Sequence, residues 1–442
     1  MTAAVLPILD WSSLDEGQRA AVLRRPAQRE AATLLERAGR IVADVRERGD
    51  AALREYTERL DKVRLASFAV GPAEFAAAEA ALSAEQLAAL QRAIGTVTRF
   101  HEEQRLAGLR VETSPGVTCE RMIVPLGAVG LYVPAGTAPL PSTAIMLAVP
   151  ARIAGCPVRV LCTPPRPDGT ADPAVLVAAR LCGVEQVFKL GGAQAVAAMA
   201  FGTETVPKVD KIFGPGNSWV TAAKQIVAAD ADGAALDMPA GPSEVLVVAD
   251  QGARPDFVAA DLLAQAEHSE DAQVVLVTTS RETAVACIAA VEQQLSVLPR
   301  RAIASRAIAE SRVLLVPDLD TALAVSNRYA PEHLILQVER PRDWLGSVRN
   351  AGSVFLGAWT PETMGDYCSG TNHVLPTYGH ARAYSGLGVA DFVKRITVQE
   401  VTPQGLADLG RTARTLARLE SLDAHANAVS VRLEAIEQES LA

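Results

Sequence analysis

The feature that most constrains the fold is an alternation of short apolar segments and Ala-rich segments that begins near Val124. The apolar segments end close to Gly or Pro, and segments with helical character follow them. Strands that alternate with helices in this way build a parallel sheet with helices on both faces. The predicted strands are 158–161, 186–190, 211–213, 244–248, 274–277 and 313–316. The predicted helices are 192–200, 218–229, 255–268, 281–295 and 319–329.

The length of the chain, 442 residues, exceeds what one hydrophobic core usually serves, so we expect two or more domains. The alternation falls into two α/β units, and the Gly and Pro within 240–242 favour a crossing between them there. Apolar residues at three-to-four spacing predict helices over 28–62 and 73–106. After Lys394 we expect a charged helical tail. Its apolar face would consist of Leu406, Leu409, Leu416 and Leu419.

The predicted fold class is therefore α/β, with two Rossmann-like parallel-sheet domains and helical N- and C-terminal extensions. Neither extension can bury an apolar face alone, so both should dock on the body or on a second subunit. The expected parts are an N-terminal arm (1–27), a discontinuous larger α/β domain (28–131 and 244–387), a second Rossmann-like domain (132–243) and a C-terminal helical tail (388–442).

The charge balance argues against nucleic acid or an anionic membrane as the main partner. Lys and Arg total 42 against 51 Asp and Glu, which leaves a net charge of -9 and no basic stripe. The longest apolar run, 140–149, is interrupted and falls short of the roughly 20 residues of a membrane span. Since no secretory signal is visible, we expect a cytoplasmic protein. Six cysteines without a Cys-x-x-Cys pair indicate free thiols.

Three Gly-containing segments, 127–136, 191–194 and 214–217, suggest a phosphate-binding function. None has the usual Gly-x-Gly-x-x-Gly fingerprint of dinucleotide-binding domains or a Walker lysine. Each nevertheless lies at the carboxyl end of a predicted strand, where open α/β sheets bind ligands and where helix N-termini attract anions. A structural turn is the alternative for each segment alone, but the three together favour a nucleotide.

Two pairs of side chains are suited to metal binding. Gln265 and His268 lie three apart near the end of a predicted helix and share one face, which makes an incomplete metal half-site. Simple pairing with local backbone is the more frequent situation, because Gln is an unusual zinc ligand. Asp366 and His373 lie in the Gly-bounded segment 365–376, which has few apolar residues to bury. A polar surface loop is the alternative there.

Glu332 and His333 are suited to proton transfer. They precede a predicted strand, which places them in a loop at a sheet edge, and an unperturbed imidazole titrates near pKa ~6.5. Solvated loop residues are an equally good interpretation of the local sequence. Glu420 and His425, on the predicted tail, are by themselves typical of a solvated charged face.

Long blocks of the chain resemble histidinol dehydrogenase, and the resemblance extends from about residue 28 to 435. The blocks are 132–143, 191–195, 201–224, 237–250, 261–268, 329–334 and 365–379. The resemblance implies a homodimer with shared active sites that oxidises L-histidinol to L-histidine through histidinal. It implies two NAD reduced per turnover and one zinc ion (Zn2+) per subunit, with the C-terminal tail reaching the partner's active site.

The resemblance also implies a role for particular residues. The zinc ligands would be Gln265, His268, Asp366 and His425. The general bases would be Glu332 and His333. Substrate contacts would be Ser243, His373 and Glu420, together with the zinc ligands and both bases. NAD contacts would be Tyr132, Gln194 and Asn217.

Three alternatives stay open at this point. A related zinc- and NAD-dependent enzyme could act on another small alcohol such as sulfopropanediol, although His373 and Glu420 favour a substrate that carries an imidazole. A cysteine could form a covalent thiohemiacetal before the second oxidation. A nucleotide-binding or regulatory module with a structural zinc is the alternative that involves no enzyme activity.

Overall fold

The computed structural model of the chain describes residues 6–25, 31–135, 138–239 and 241–440. Three predicted features extend outside these residues. The first predicted helix starts at Gln28, one Gly-containing segment ends at Gly136, and the predicted crossing includes Ala240.

The chain forms two compact units. The first unit comprises Met1–Gln104 and Leu126–Phe392, and the second unit comprises Arg105–Pro125 and Val393–Ala442. The strands are β1 (Ile8–Asp10), β2 (Leu109–Ser114), β3 (Val117–Pro125), β4 (Ala128–Tyr132), β5 (Val158–Thr163), β6 (Gln186–Lys189), β7 (Lys211–Phe213), β8 (Ala235–Leu236), β9 (Glu244–Ala249), β10 (Gln273–Thr278), β11 (Arg312–Leu315), β12 (His333–Gln337), β13 (Ser353–Leu356) and β14 (Val393–Val401).

The helices lie mainly in the first unit. They are α1 (Glu16–Val22), α2 (Ala31–Arg48), α3 (Asp50–Tyr56), α4 (Pro72–Ala81), α5 (Ala84–Glu102), α6 (Pro141–Ala154), α7 (Pro173–Leu181), α8 (Gly192–Phe201), α9 (Ser218–Ala229), α10 (Pro255–Ala266), α11 (Arg281–Val297), α12 (Arg301–Ala309), α13 (Leu319–Tyr329), α14 (Glu362–Tyr367), α15 (Pro403–Leu419) and α16 (Asp423–Glu439). A π-helical turn, Thr57–Asp61, continues α3. Among the described residues, no helix combines the length and the apolar character that crossing a membrane requires.

A six-stranded parallel sheet in the order β1-β11-β10-β9-β12-β13 forms one half of the first unit. Because side chains alternate along a strand, Val245 and Val247 pack with α10 and α11 on one face, while Leu246 packs with α13 on the other. At one edge, β1 pairs with β11, so the N-terminal arm docks on the body of its own chain as an added strand.

A five-stranded parallel sheet in the order β6-β5-β4-β7-β8 forms the other half. Its core has two sides, with α6 and α7 packed around Leu131 and with α2, α8 and α9 packed around Val160. Two parallel sheets with helices on both faces confirm the predicted α/β class. The division into four parts stays a prediction.

The second unit corrects the expectation that the chain is helical from Lys394 onward. Residues Val393–Val401 form β14, which pairs with β3 in the antiparallel sheet β14-β3-β2. This segment contains β-branched residues at Ile396, Thr397 and Val398, which suit a pleated strand. The helical leucine pattern begins only with α15, which packs along α16, where Gly410 lies against Val429.

Candidate active site

Glu332 and His333 lie at the amino end of β12 and are buried, with 6% and 3% of their surface exposed. The alternative of solvated loop residues is therefore wrong. The parallel pairing of β12 with β9 places His333 opposite Val245, one residue beyond Glu244. Sequence periodicity missed this burial because a polar pair before an apolar strand is also typical of an exposed turn.

The backbone of Glu244 holds both side chains. Its N–H donates a hydrogen bond to Oε2 of Glu332 at 2.9 Å, and its carbonyl lies 3.1 Å from Nδ1 of His333. Because a carbonyl can only accept, Nδ1 must carry a hydrogen. The other ring nitrogen, Nε2, is buried without a hydrogen-bond partner among the described residues and lies 3.6 Å from Oδ1 of Asp366.

Asp366 lies within α14, so the alternative of a polar surface loop does not hold for this residue. The short helix starts after Pro361, and it carries Glu362 and Asp366 four residues apart on one face. Gly365 allows close packing, since a Cβ there would lie 2.6 Å from the ring of Phe355.

His373 is connected to the same helix. Its Nδ1 lies 2.8 Å from the carbonyl oxygen of Asp366, and its Nε2 lies 3.3 Å from the hydroxyl of Thr143 on α6. Burial lowers the pKa of His373, although the charge of Asp366 acts in the opposite direction. The ring is therefore favoured in its neutral form at neutral pH.

Gln265 lies in the last turn of α10, and His268 lies two residues beyond the end of that helix. Nε2 of Gln265 lies 3.3 Å from Nδ1 of His268, and Oε1 of Gln265 is buried without a hydrogen-bond partner among the described residues. Burial lowers the pKa of His268, and the charges of Asp366 and His333 also act on it, so these groups are neighbours. An unpaired buried amide oxygen does not fit the simpler interpretation of a pair satisfied by local backbone.

Glu362 is a site residue that the sequence analysis missed. It is 1% exposed, and its Oε1 lies 3.8 Å from Nδ1 of His333. Ligand atoms of His333, Glu362 and Asp366 lie within 4.8 Å of one another, so this group could hold a metal ion. It shares only Asp366 with the ligand set that the family resemblance implies. The spacing of four between two acids was the signal that could have found Glu362.

The electrostatics of the site depend on burial and on this cluster of acids. Burial raises the pKa of Glu332 to about 7. Burial also raises the pKa of Glu362. Burial alone would lower the pKa of His333, but the charges of the neighbouring carboxylates raise it well above its usual value. Burial opposes ionisation of Asp366, yet the adjacent His333 brings the pKa of that carboxyl below its usual value.

The residues implied to contact NAD lie at carboxyl ends of the five-stranded sheet. Tyr132 ends β4, and its hydroxyl accepts a hydrogen bond of 3.0 Å from the N–H of Gly192. Gly192 adopts a φ of 63°, which favours glycine at this close turn before α8. Asn217 caps α9 by accepting hydrogen bonds from the backbone of the first turn.

Gln194 lies in α8 and is connected to a residue that the sequence analysis missed. Its Nε2 donates to the carboxylate of Asp61 at 3.3 Å, while its Oε1 is buried without a partner among the described residues. Burial raises the pKa of Asp61 to about 6. Asp61 ends the π-helical turn after α3, and nothing in the local sequence marks it as a neighbour of α8.

The remaining implied site residues occupy three positions. Ser243 is half-buried and directly precedes β9, so it lies at the same sheet edge as Glu332 and His333. Glu420 follows α15 and His425 lies in α16, both exposed in the second unit. Their contribution to the site stays a prediction.

Comparison with known proteins identifies the family. The family model described as histidinol dehydrogenase matches residues 23–433. The chain belongs to the histidinol dehydrogenase family. It is 60% identical over 428 residues to the histidinol dehydrogenase of Xanthomonas axonopodis pv. citri (strain 306), covering 97% of this chain and 99% of the relative. It is 53% identical over 428 residues to that of Vibrio cholerae serotype O1, covering 97% and 98%.

A solved structure agrees with this family assignment. The crystal structure of histidinol dehydrogenase from Elizabethkingia anophelis superposes with a TM-score of 0.93 at 44% identity, covering 99% of this chain and 100% of that one. The family resemblance drawn from the sequence is thereby confirmed.

The cysteines of this family member are all free thiols. Burial raises the pKa of Cys156 to about 11 and those of Cys182 and Cys287 to about 12. Since the thiolate is the nucleophile, these three thiols are poorly suited to covalent catalysis near neutral pH.

Proposed function

We propose that this histidinol dehydrogenase family member oxidises L-histidinol to L-histidine through histidinal, with two hydride transfers to NAD, in the final step of histidine biosynthesis. The observation that carries the proposal is the buried pair of Glu332 and His333, which are adjacent in the chain and contact the backbone N–H and carbonyl of the same residue, Glu244. Two successive oxidations need proton removal from an alcohol and then from a water, and this pair supplies two acceptors.

We propose that zinc is held by Gln265, His268, Asp366 and the His425 of a second copy. The residues present in the first unit fit a cation, because Gln265 leaves a buried oxygen without a partner. The lowered pKa values of His268 and Asp366 favour a neutral imidazole and an ionised carboxylate, which are the forms that bind metal. When bound, zinc would act as a Lewis acid and as a template for the imidazole and amine of the substrate.

His333 is suited to the first oxidation. The carbonyl of Glu244 holds the hydrogen on Nδ1, which leaves Nε2 as the nitrogen that exchanges a proton with the substrate hydroxyl. The charges of three carboxylates raise the pKa of His333 and favour its protonated form. The ring becomes a base when positive charge elsewhere in the site offsets these carboxylates and lowers that pKa again. His333 then takes the hydroxyl proton as hydride leaves the carbinol carbon for NAD, which forms histidinal.

Glu332 is suited to the second oxidation. A carboxyl with a pKa of about 7 is a stronger base than an ordinary glutamate and is still ionised in part near neutral pH. Glu332 takes a proton from the water that adds to the aldehyde. The hydrated carbon then gives the second hydride to NAD and forms the carboxyl group of histidine, which ionises by releasing its remaining proton to solvent.

We propose Tyr132, Gln194 and Asn217 as NAD contacts and Ser243, His373 and Glu420 as substrate contacts, together with the two bases and the zinc ligands. The carboxyl ends of β4 and β7 support the NAD assignment, since open α/β sheets bind ligands there. At His373, the neutral ring near Asp366 can hydrogen-bond a second imidazole.

We propose a homodimer with shared active sites and one zinc ion per subunit. We also propose a cytoplasmic location, because amino-acid biosynthesis there can use NAD. The second unit supports the dimer, because Leu409, Leu416 and Leu419 of α15 are 40%, 56% and 76% exposed. Exposed leucines on one helix, close in sequence to Glu420 and His425, are typical of a surface that a second copy covers.

The test is the stoichiometry of NADH. We expect two NADH per L-histidinol, and we expect loss of activity with a chelator and its recovery with zinc, without unfolding. Sulfopropanediol under the same conditions is the control substrate. Absence of NADH from histidinol, or faster turnover of sulfopropanediol, would refute the proposed substrate.

A further inference from the structure

Arg25, at the end of the described N-terminal arm, forms a buried ion pair with Glu244. Its Nε and Nη2 each lie 2.6 Å from one carboxylate oxygen, and the two side chains are 10% and 2% exposed. Removing two charges from water costs more than the pair usually returns in stability. A bidentate pair does, however, fix the mutual orientation of the segments that carry it.

Glu244 is also the residue whose backbone contacts both proposed bases. Its N–H donates to Glu332, and its carbonyl accepts the Nδ1 hydrogen of His333. This N–H and this carbonyl belong to the two peptide units on either side of the Glu244 Cα, so a change in the backbone dihedral angles of Glu244 moves one base relative to the other. The side chain of Glu244 has a further anchor, because its Oε1 accepts a hydrogen bond from the N–H of Tyr378.

Arg25 also contacts the chain segment that leads into the two bases. Its Nη2 donates to the carbonyls of Tyr329 and Ala330 at 2.8 and 3.3 Å, and its guanidinium stacks 4.0 Å from the ring centroid of Tyr329. Ala330 has a φ of 56°, a conformation that a residue with a side chain adopts at a cost. The hydrogen bond to its carbonyl helps to hold that bend immediately before Pro331 and Glu332.

We propose that Arg25 and Glu244 are positioning residues that set the relative placement of Glu332 and His333. Arg25 contacts both the start of β9 and the segment that enters β12, so it fixes their relative position. The backbone of Glu244, at the start of β9, in turn holds both bases by hydrogen bonds. The inference rests on the proposed function of those bases. It assigns to the N-terminal arm a role in catalysis beyond adding an edge strand.

The test compares Arg25→Lys, Arg25→Ala and the charge-free double variant Arg25→Met with Glu244→Gln. We expect kcat to fall at least about tenfold in each, because a displacement of about 1 Å in a catalytic group can cost about 100-fold. We expect KM for histidinol and NAD to change less than about twofold, because neither residue is proposed to touch them. Arg46→Ala is the control, since Arg46 on α2 also forms two short ion-pair contacts, at 2.6 and 2.7 Å, but with two different carboxylates and away from the proposed bases.

The double variant separates positioning from stability. Replacing a buried ion pair by uncharged side chains often leaves stability unchanged, so its melting temperature should stay close to that of the wild type. Under our proposal its kcat stays low, whereas a purely structural pair predicts that kcat recovers with stability. Wild-type kcat in Arg25→Lys or in the double variant would overturn the proposal. Failure of the wild type itself to reduce NAD would instead refute the proposed function.

Discussion

We expect Glu332→Gln to stabilise the protein at alkaline pH while it slows the second oxidation. Burial raises the pKa of Glu332 from 4.5 to about 7, so the folded state opposes ionisation of this carboxyl more than the unfolded chain does. Stability linked to a raised pKa is fully present below the unfolded value and is lost as pH rises through the folded value. A glutamine cannot ionise and avoids this loss.

The size of the effect follows from the shift. One pKa unit corresponds to about 1.4 kcal/mol, so a change from 4.5 to about 7 makes ionised Glu332 cost about 3 kcal/mol above pH 7. Part of that cost is already present at pH 5, where the unfolded carboxyl is mostly ionised. Between pH 5 and pH 8.5 the advantage of the variant should therefore grow by about 2.5 kcal/mol. The hydrogen bond from the N–H of Glu244 remains, because the glutamine oxygen also accepts.

The assay is thermal unfolding at a constant scan rate, with a chelator present so that no bound cation alters the charge around Glu332. We expect the melting temperature of Glu332→Gln to exceed that of the wild type by about 3 °C more at pH 8.5 than at pH 5. Glu47→Gln, which removes an exposed carboxylate on α2, is the matched control and should show no such pH dependence.

In separate samples that contain zinc and no chelator, single-turnover oxidation of histidinal should be slower in Glu332→Gln, while the first oxidation of histidinol is affected less. A pH-independent difference in melting temperature would refute the argument that burial sets the ionisation of Glu332. Unchanged histidinal oxidation would refute its role as the base of the second step.

The remaining predictions concern the other base, the metal, NAD and the thiols. His333→Asn should slow histidinol oxidation more than histidinal oxidation in single-turnover measurements, because the first step needs the imidazole. His268→Asn should lower the zinc content measured by mass spectrometry, whereas Glu362→Gln should keep it. Asp61→Ala should raise KM for NAD about fivefold at unchanged kcat, since its partner amide loses a hydrogen bond worth about 1 kcal/mol. Cys→Ser variants, made one at a time, should keep the wild-type rate.

Each of these predictions has an outcome that contradicts it. Zinc lost from Glu362→Gln and kept by His268→Asn would favour the group of His333, Glu362 and Asp366 as the metal site. Wild-type KM for NAD in Asp61→Ala would show that the Asp61 carboxylate does not contribute to NAD binding. A single cysteine whose replacement abolishes only histidinal oxidation would support the covalent route. Equal effects of His333→Asn on both steps would refute the assignment of His333 to the first oxidation and Glu332 to the second.

The local sequence predicted those parts of the fold and site that depend on near neighbours. Alternation of short strands and helices predicted both parallel sheets, because each element shows its own periodicity within about ten residues. The spacing of three between Gln265 and His268 correctly predicted that they lie together at the end of α10. The same reasoning missed β14, since charged residues interrupt its apolar pattern and the leucines of α15 dominate the segment.

The assignment of site residues that are far apart in the chain came from the long blocks that resemble histidinol dehydrogenase. The structure brings Glu332, His333, Asp366 and His373 together, although no local pattern relates β12 to α14. It leaves the roles of Glu420 and His425 as predictions, because they lie in the second unit.

By itself, the sequence determined the α/β class, the family, and part of each parallel sheet, namely β5, β6, β7, β9, β10 and β11 with the helices α8, α9, α10, α11 and α13. Only the tertiary structure decided that the two proposed bases are buried, that Glu362 stands beside them, and that Arg25 contacts Glu244. The physical reason is that periodicity reports which face of an element is apolar, whereas a pKa or an ion pair depends on groups that folding brings together. Arg25 and Glu244 are 219 positions apart, and no property of either residue alone predicts their contact.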